Sequence, residues 1–238
     1  MWSTARSEAA LEAALPLPIE IRPIRTARRM RLRFDDGSGS LKLTCPWRTS
    51  RRKALAWALD QRDWIDAQLA RAEPALPFAP DVIIPIEGRD RRIVWNETAA
   101  RTPQVSDDEV RCGGPLDGLP RRIEGFLKKR ALEVMSREVA DYAAAAGMSA
   151  RSVSVGDPSS RWGSCSTDGR IRLSWRLILA PSEVRRYVVA HEVAHLRHMD
   201  HSAAFKAFEA QLYGVGLAEA KASLRKLGPR LRRIGRRG

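Results

Sequence analysis

Apolar and polar residues alternate strictly in two short stretches near the N-terminus. Met30, Leu32 and Phe34 interleave with Arg29, Arg31 and Arg33; Leu41, Leu43 and Cys45 follow beyond Asp35-Asp36-Gly37-Ser38-Gly39. A period of two on either side of a turn predicts a hairpin with one charged face. The twenty residues at the start read as a loose helical lead-in. After Ser50, a suitable N-cap, the pattern widens to the helical period as far as about Ala72, with Leu55, Leu59, Ile65, Leu69, Trp57 and Trp64 forming a mostly buried stripe. Pro-rich chain from Glu73 to Asp81 reads as a linker or crossing loop. Val82–Ile86 and Arg91–Trp95 predict strands, and Val105 and Val110 lie on shorter ones. A long helix is expected from Pro120 to Ala146, stopped by Gly147.

In the last third, Val153 and Val155, then Ile171 and Leu173, predict strands on either side of Arg161-Trp162-Gly163-Ser164-Cys165-Ser166 and the Asp168-Gly169 turn. Pro181-Ser182 opens a helix carrying Val184, Val188, Val189, Ala190 and Val193. Asp200 to Ser202 interrupts it, and Ser202 caps a further helix with Phe205, Phe208 and Leu212 on one face. No repeat or heptad array is present. The expected class is α+β. Residues 1–118 form a β-rich part with one long helix, 119–228 a helical metal-binding part, and 229–238 a basic tail.

Composition narrows the function classes. The 238 residues, 44% hydrophobic and 29% charged, are ordinary for a globular chain, and no apolar run reaches the ~20 residues of a membrane span. The N-terminus lacks the apolar run of a signal peptide. Three scattered cysteines, Cys45, Cys112 and Cys165, argue for a reducing, cytoplasmic setting rather than a disulfide framework. The net charge of +14 favours anionic partners. Six arginines lie between Arg22 and Arg33, and the chain from Lys221 onward has eight basic residues and no acidic one. Both segments are candidates for electrostatic, sequence-independent nucleic-acid binding, with solubility alone as the alternative. Aromatic residues are too sparse there to indicate a stacking platform.

All four histidines fall within residues 191–201: His191-Glu192-Val193-Ala194-His195-Leu196-Arg197-His198-Met199-Asp200-His201. Two imidazoles four apart on one helix face stand about 6 Å apart along the axis and can share one Zn²⁺. Glu192, beside the first, can reach a water held by the metal rather than the metal itself, which suits a general base. His201 lies about 15 Å along an unbroken helix from His191, so its participation requires the helix to end near Met199 and the chain to turn back. Asp200 tolerates the left-handed conformation such a turn uses. The spacing is that of the metzincin pattern H-E-x-x-H-x-x-G-x-x-H, with His198 in place of the glycine. His198, one turn beyond His195, and Glu209, on the next helix, are the competing third ligands, although Glu209 reads first as a solvated helix carboxylate. Cys165 is a weak thiolate candidate, and Arg161 a candidate for a substrate carboxylate or phosphate. Tyr187, one turn before His191, is a candidate to polarise a carbonyl or a core residue.

The segments 161–166, Arg176-Leu177-Ile178-Leu179-Ala180-Pro181, Tyr187 to Leu196, and His201-Ser202 with Phe205 resemble the YgjP-like family of metal-dependent hydrolases, zincin-type proteins related to SprT-like metallopeptidases. Arg28 to Arg33 and Trp64-Ile65 are similar to that family too. The resemblance implies an α+β zincin-like fold, a bound zinc held by His191, His195 and His201, and Glu192 as catalytic acid/base. Ser174 and Asp200 stand where the family usually has Asn. Three functions follow as expectations: zinc-dependent hydrolysis of a peptide bond; hydrolysis of a nucleotide phosphoanhydride, as described for some family members; or a non-enzymatic, nucleic-acid-associated zinc protein. Glu192 argues against the last, because a closed structural site needs no acid beside it.

Overall fold

The computed structural model describes residues 7–236, in two compact units, Met1–Glu73 and Pro74–Gly238. Residues 1–6 of the expected lead-in and 237–238 of the expected tail lie outside the described residues.

The first unit contains α1 (Glu8–Ala13), β1 (Ile19–Ile24), β2 (Arg31–Asp35), β3 (Ser40–Pro46), α2 (Arg51–Asp60) and α3 (Arg62–Arg71). The hairpin β2–β3 forms as the alternation requires, with Leu32 opposite Leu43 and Arg33 opposite Lys42. The sequence reading missed β1, which pairs in parallel with β3, Ile19 against Leu41. It is an edge strand, where Pro23 costs no ladder bond. Leu41, Leu43 and Cys45 point inward onto Ala54, Leu55, Ala58 and Ile65. Ser50 does cap α2, its hydroxyl accepting from Lys53 N. The single helix expected to Ala72 is broken, however: Gln61 leaves the helical region (φ −92°, ψ 19°) and begins α3, and Trp64 is exposed rather than buried. Periodicity cannot register a dihedral change at one residue.

The second unit contains β4 (Ile83–Ile86), β5 (Arg89–Trp95), β6 (Gln104–Val105), β7 (Glu109–Cys112), α4 (Leu119–Ala145), β8 (Ser152–Gly156), β9 (Gly163–Cys165), β10 (Arg170–Ser174), α5 (Ser182–Ala194), α6 (Ala203–Tyr213) and α7 (Leu217–Arg233). Two mixed sheets run in the orders β4-β5-β7-β6 and β8-β10-β9. The stripe Leu119, Ile123, Leu127, Ala131, Met135 and Val139, four residues apart, is buried along α4. The helix stops at Gly147 (φ 66°), with Met148 N donating to Ala143 O and Gly147 N to Ala144 O, the paired bonds that close a helix through a left-handed residue.

A boundary at 118/119 is not where the chain divides. Ile84, Ile86, Ile93, Val110 and Cys112 of the β4–β7 sheet share one core with α4 and α5. The segment from 229 is likewise no free tail. Pro229 to Arg233 complete α7, Leu231 and Ile234 are buried, and Gly235 N donates to Leu76 O. Arg176, itself buried, holds this segment through the carbonyls of Leu231 and Ile234 while its guanidinium pairs with Asp157 at 2.7 Å. Apolar residues scattered among arginines in a short stretch carry no visible period, so only the packed core reveals them. No helix among the described residues is long and apolar enough to cross a membrane.

Candidate metal centre

Helix α5 is buried on most sides by its Val and Ala residues and is tied to α4 by the Arg185–Glu138 ion pair (2.8 Å). Its tight packing fixes the positions of His191, Glu192 and His195. The helix ends at Ala194, a few residues before the expected Met199, and its last turn tapers off through Arg197 and His198. Asp200 does not adopt the left-handed conformation expected of it. It turns the chain with its side chain, Oδ1 accepting from Ser202 N at 3.1 Å. Ser202 then caps α6, as expected, accepting from Phe205 N. This reversal brings His201 back over α5.

The ring nitrogens of His191, His195 and His201 that could hold a metal all lie within 4.8 Å of one another, with His201 Nε2 3.3 Å from His191 Nε2. Two of the three tautomers are fixed. His191 Nδ1 lies 2.6 Å from Glu209 Oε1, and His195 Nδ1 lies 2.9 Å from the His198 carbonyl oxygen. A carboxylate and a carbonyl can only accept, so each Nδ1 carries the proton and each Nε2 presents its lone pair. Burial, reinforced by the neighbouring His191 and His201, lowers the His195 pKa against the pull of the His198 carbonyl, favouring the neutral ring that a metal needs. Phe205, fully buried, packs its ring centre 5.1, 4.5 and 4.9 Å from those of His191, His195 and His201. It forms an apolar wall shared by all three.

Both competing ligands have other parts. His198 contributes its backbone carbonyl, while its ring packs edge-on against Phe208. Glu209, 4% exposed, is neither a metal-facing group nor the solvated carboxylate expected of that position. Burial would raise its pKa, but the hydrogen bond from His191 outweighs that and holds it below the usual value. Cys165 is not among the converging groups. Burial first, then the charges of Glu192 and Asp168, push its thiol up to about 11, and Sγ donates to Ser166 O.

Glu192 is buried, and burial lifts its carboxyl to about 7 against the opposing charges of His191 and Arg161. A carboxylate poised there can take and return a proton near neutral pH. Its position depends on Gly163, the first residue of β9. A Cβ at Gly163 would stand 2.5 Å from Glu192 Oε1 and 2.6 Å from its Cγ. A cleft of about 200 Å³ is lined by Arg161, Trp162, Tyr187, His191, Glu192 and Leu224. Tyr187 sits in its wall, edge-on to His191, with burial pushing its hydroxyl up to about 12. Arg161 is exposed, lines the cleft and makes no ion pair among the described residues.

Residues Arg161 to Gly163, Tyr187 and the His191-Glu192 pair thus meet around one cleft. The sequence profile described as YgjP-like, metallopeptidase domain, matches residues 28–227. The chain belongs to the YgjP-like family. No curated protein matches it. Among solved structures, the metallopeptidase zymogen abylysin of Pyrococcus abyssi is similar at 19% identity and a TM-score of 0.36, over 40% of this chain and 95% of that one. In this YgjP-like chain sequence reasoning missed the roles of Gly163 beside Glu192, of Phe205 as a wall of the site, and of Glu209 as the partner of His191. A glycine needed for close approach leaves no period to read. Glu209 lies on a different helix from the histidine it orients.

Proposed function

We propose that the chain is a zinc-dependent hydrolase of peptide bonds with a zincin-like site, in which His191, His195 and His201 hold the ion and Glu192 is the general base. The observation that carries this reading is the convergence of three imidazoles, two with locked tautomers, beside a buried carboxylate. The donor set fits zinc. Two nitrogens at ~2.0–2.1 Å from one tetrahedral ion stand about 3.3 Å apart, and His191 and His201 Nε2 are 3.3 Å apart. When bound, zinc supplies Lewis-acid chemistry, making water acidic and polarising a carbonyl. Glu192 Oε1 accepts the proton of the attacking water and returns it to the leaving amine. Glu209 and the His198 carbonyl keep the Nδ1 protons in place throughout. Among the described residues strand β9 is an edge strand bonded only to β10, and its first residue lies so close to Glu192 that a Cβ there would meet the carboxylate. An extended peptide can add to such an edge and bring its carbonyl to the cleft.

A second reading, hydrolysis of a nucleotide phosphoanhydride, draws support from a groove of about 330 Å³ that includes Arg161, Ser164 and Arg172. Arg172, like Arg161, has no ion pair among the described residues. The deciding experiment incubates zinc-loaded protein with an unstructured protein substrate and with a nucleoside triphosphate panel, beside Glu192→Gln. The variant is expected to keep its zinc and lose ~10²–10⁴-fold in peptide cleavage. Wild-type rates from the variant would remove Glu192 from the mechanism, and cleavage of triphosphates alone would replace the peptide reading with the second.

A further inference from the structure

The first unit carries a surface that the hydrolytic site does not use. Alternation in the β1–β3–β2 sheet puts Leu41, Leu43 and Cys45 in the core and turns Glu20, Arg22, Arg31, Arg33, Lys42 and Thr44 to the opposite face. The register aligns these in rows, Glu20–Lys42–Arg33 and Arg22–Thr44–Arg31. The helices pack on the inner side only, and the flanking-strand residues of the outer face are exposed. Glu20 is neutralised by Arg22 at 2.7 Å and Asp35 by Lys42 at 2.7 Å, which leaves the face cationic.

At one end of this face lies a groove of about 700 Å³ lined by Ile24, Thr26, Arg28, Arg29, Arg31 and Thr44. Arg28, Arg29 and Arg31 are exposed and make no ion pair among the described residues. At the same end, where β3 finishes beside Ile24, Trp47 stands 52% exposed, with the guanidinium of Arg48 4.9 Å and that of Arg25 5.8 Å from its ring centre. A large aromatic side chain left in water and flanked by two guanidinium groups is poor for folding but suits a stacking surface. Arginine forks hydrogen-bond phosphate in pairs and stack on flat rings, which compact lysine ammonium groups cannot do.

We propose that this sheet face and its groove bind single-stranded nucleic acid, with phosphates along Arg28, Arg29 and Arg31 and a base stacked on Trp47. An open sheet with a planar aromatic and free guanidiniums takes unstacked bases, whereas duplex reading needs an element inserted into a groove, and the helices of this unit are packed away on the other side of the sheet. The sparse aromatics that argued against a stacking platform in the sequence are answered by a single tryptophan placed where the arginines converge. Binding is sequence-tolerant, and DNA and RNA share the chemistry that it reads.

The test uses the full chain and fluorescence polarisation with labelled oligo-dT, oligo-U, a DNA duplex of equal length, and vesicles of phosphatidylglycerol in phosphatidylcholine. Both single strands should bind at least tenfold tighter than duplex at physiological salt. Trp47→Ala should weaken single-strand binding about 5- to 150-fold, the effect of losing one base stack, and Trp47→Phe should restore most of it. The triple variant Arg28→Ala/Arg29→Ala/Arg31→Ala should lower the salt slope on single strands by about 2, at ~0.7 per phosphate. Melting curves of all variants confirm folding, and Trp47 lies outside the buried core. Equal loss on duplex and single strands, no effect of Trp47→Ala, or a preference for vesicles over oligonucleotides would each overturn the proposal.

Discussion

Glu209→Ala isolates what a residue outside the metal contacts contributes to the site. In the wild type the Glu209 carboxylate, 4% exposed, accepts from His191 Nδ1 at 2.6 Å. That bond fixes the tautomer and ring plane of His191, and its negative charge makes Nε2 a stronger donor. Loss of such a partner lowers metal affinity by about 10–100-fold, or about 1.4–2.8 kcal/mol. The metal-free protein should change much less. Deleting the carboxylate removes a charge-assisted bond but also a buried charge that burial disfavours, and half-buried His191 regains water. Glu209→Gln separates the two contributions. Its amide oxygen still accepts the Nδ1 proton, so the tautomer survives and only the charge is lost, and its affinity should fall between wild type and Glu209→Ala. The assay is zinc titration against a chromophoric chelator, beside melting curves of metal-free and zinc-loaded protein. Wild-type affinity in Glu209→Ala would refute the orienting role. A matching collapse of the metal-free melting temperature would show instead that Glu209 simply holds α5 and α6 together.

Gly163→Ala should keep zinc and lose activity, because the added Cβ at 2.5 Å drives Glu192 Oε1 from its place. The loss should approach that of Glu192→Gln, and turnover near wild type, read beside zinc content, would show that the carboxylate has room to shift. Acid stability tests the anchoring of the C-terminal segment by Arg176 and Asp157. Burial would raise the Asp157 pKa, but the hydrogen bonds and charge of Arg176, with Arg236, hold it below the ordinary value. A depressed folded-state pKa contributes stability above about pH 4 that is lost as pH falls through the folded value. Melting temperatures between about pH 2.5 and 6 should therefore fall less steeply for Asp157→Asn than for the wild type, and identical acid slopes would contradict the coupling.

Much of the secondary structure was legible, because it follows from local periods and terminators. The β2–β3 hairpin, α4 with its four-residue stripe and Gly147 stop, the short strands through Val110, and the Ser202 cap of α6 all depend on residues within a few positions of one another. The histidine spacing also required the chain to reverse before His201, since a straight helix carries that ring out of reach. How it reverses was not legible. The Asp200 side chain makes the turn in place of a left-handed residue, and that choice depends on where α6 must dock.

What only the tertiary structure decided involves partners distant in sequence. The break at Gln61, the edge strand β1, the anchoring of residues 229–236 by Arg176, and the union of the β4–β7 sheet with α4 and α5 are settled by a shared core. The same is true at the site. Sequence alone placed two imidazoles on one helix face and an acid beside the first, because helical geometry is local. Folding alone brought Glu209 to His191, the His198 carbonyl to His195 and Gly163 to Glu192, since hydrogen bonding and close packing select partners by position in space, and linear order carries no record of that choice.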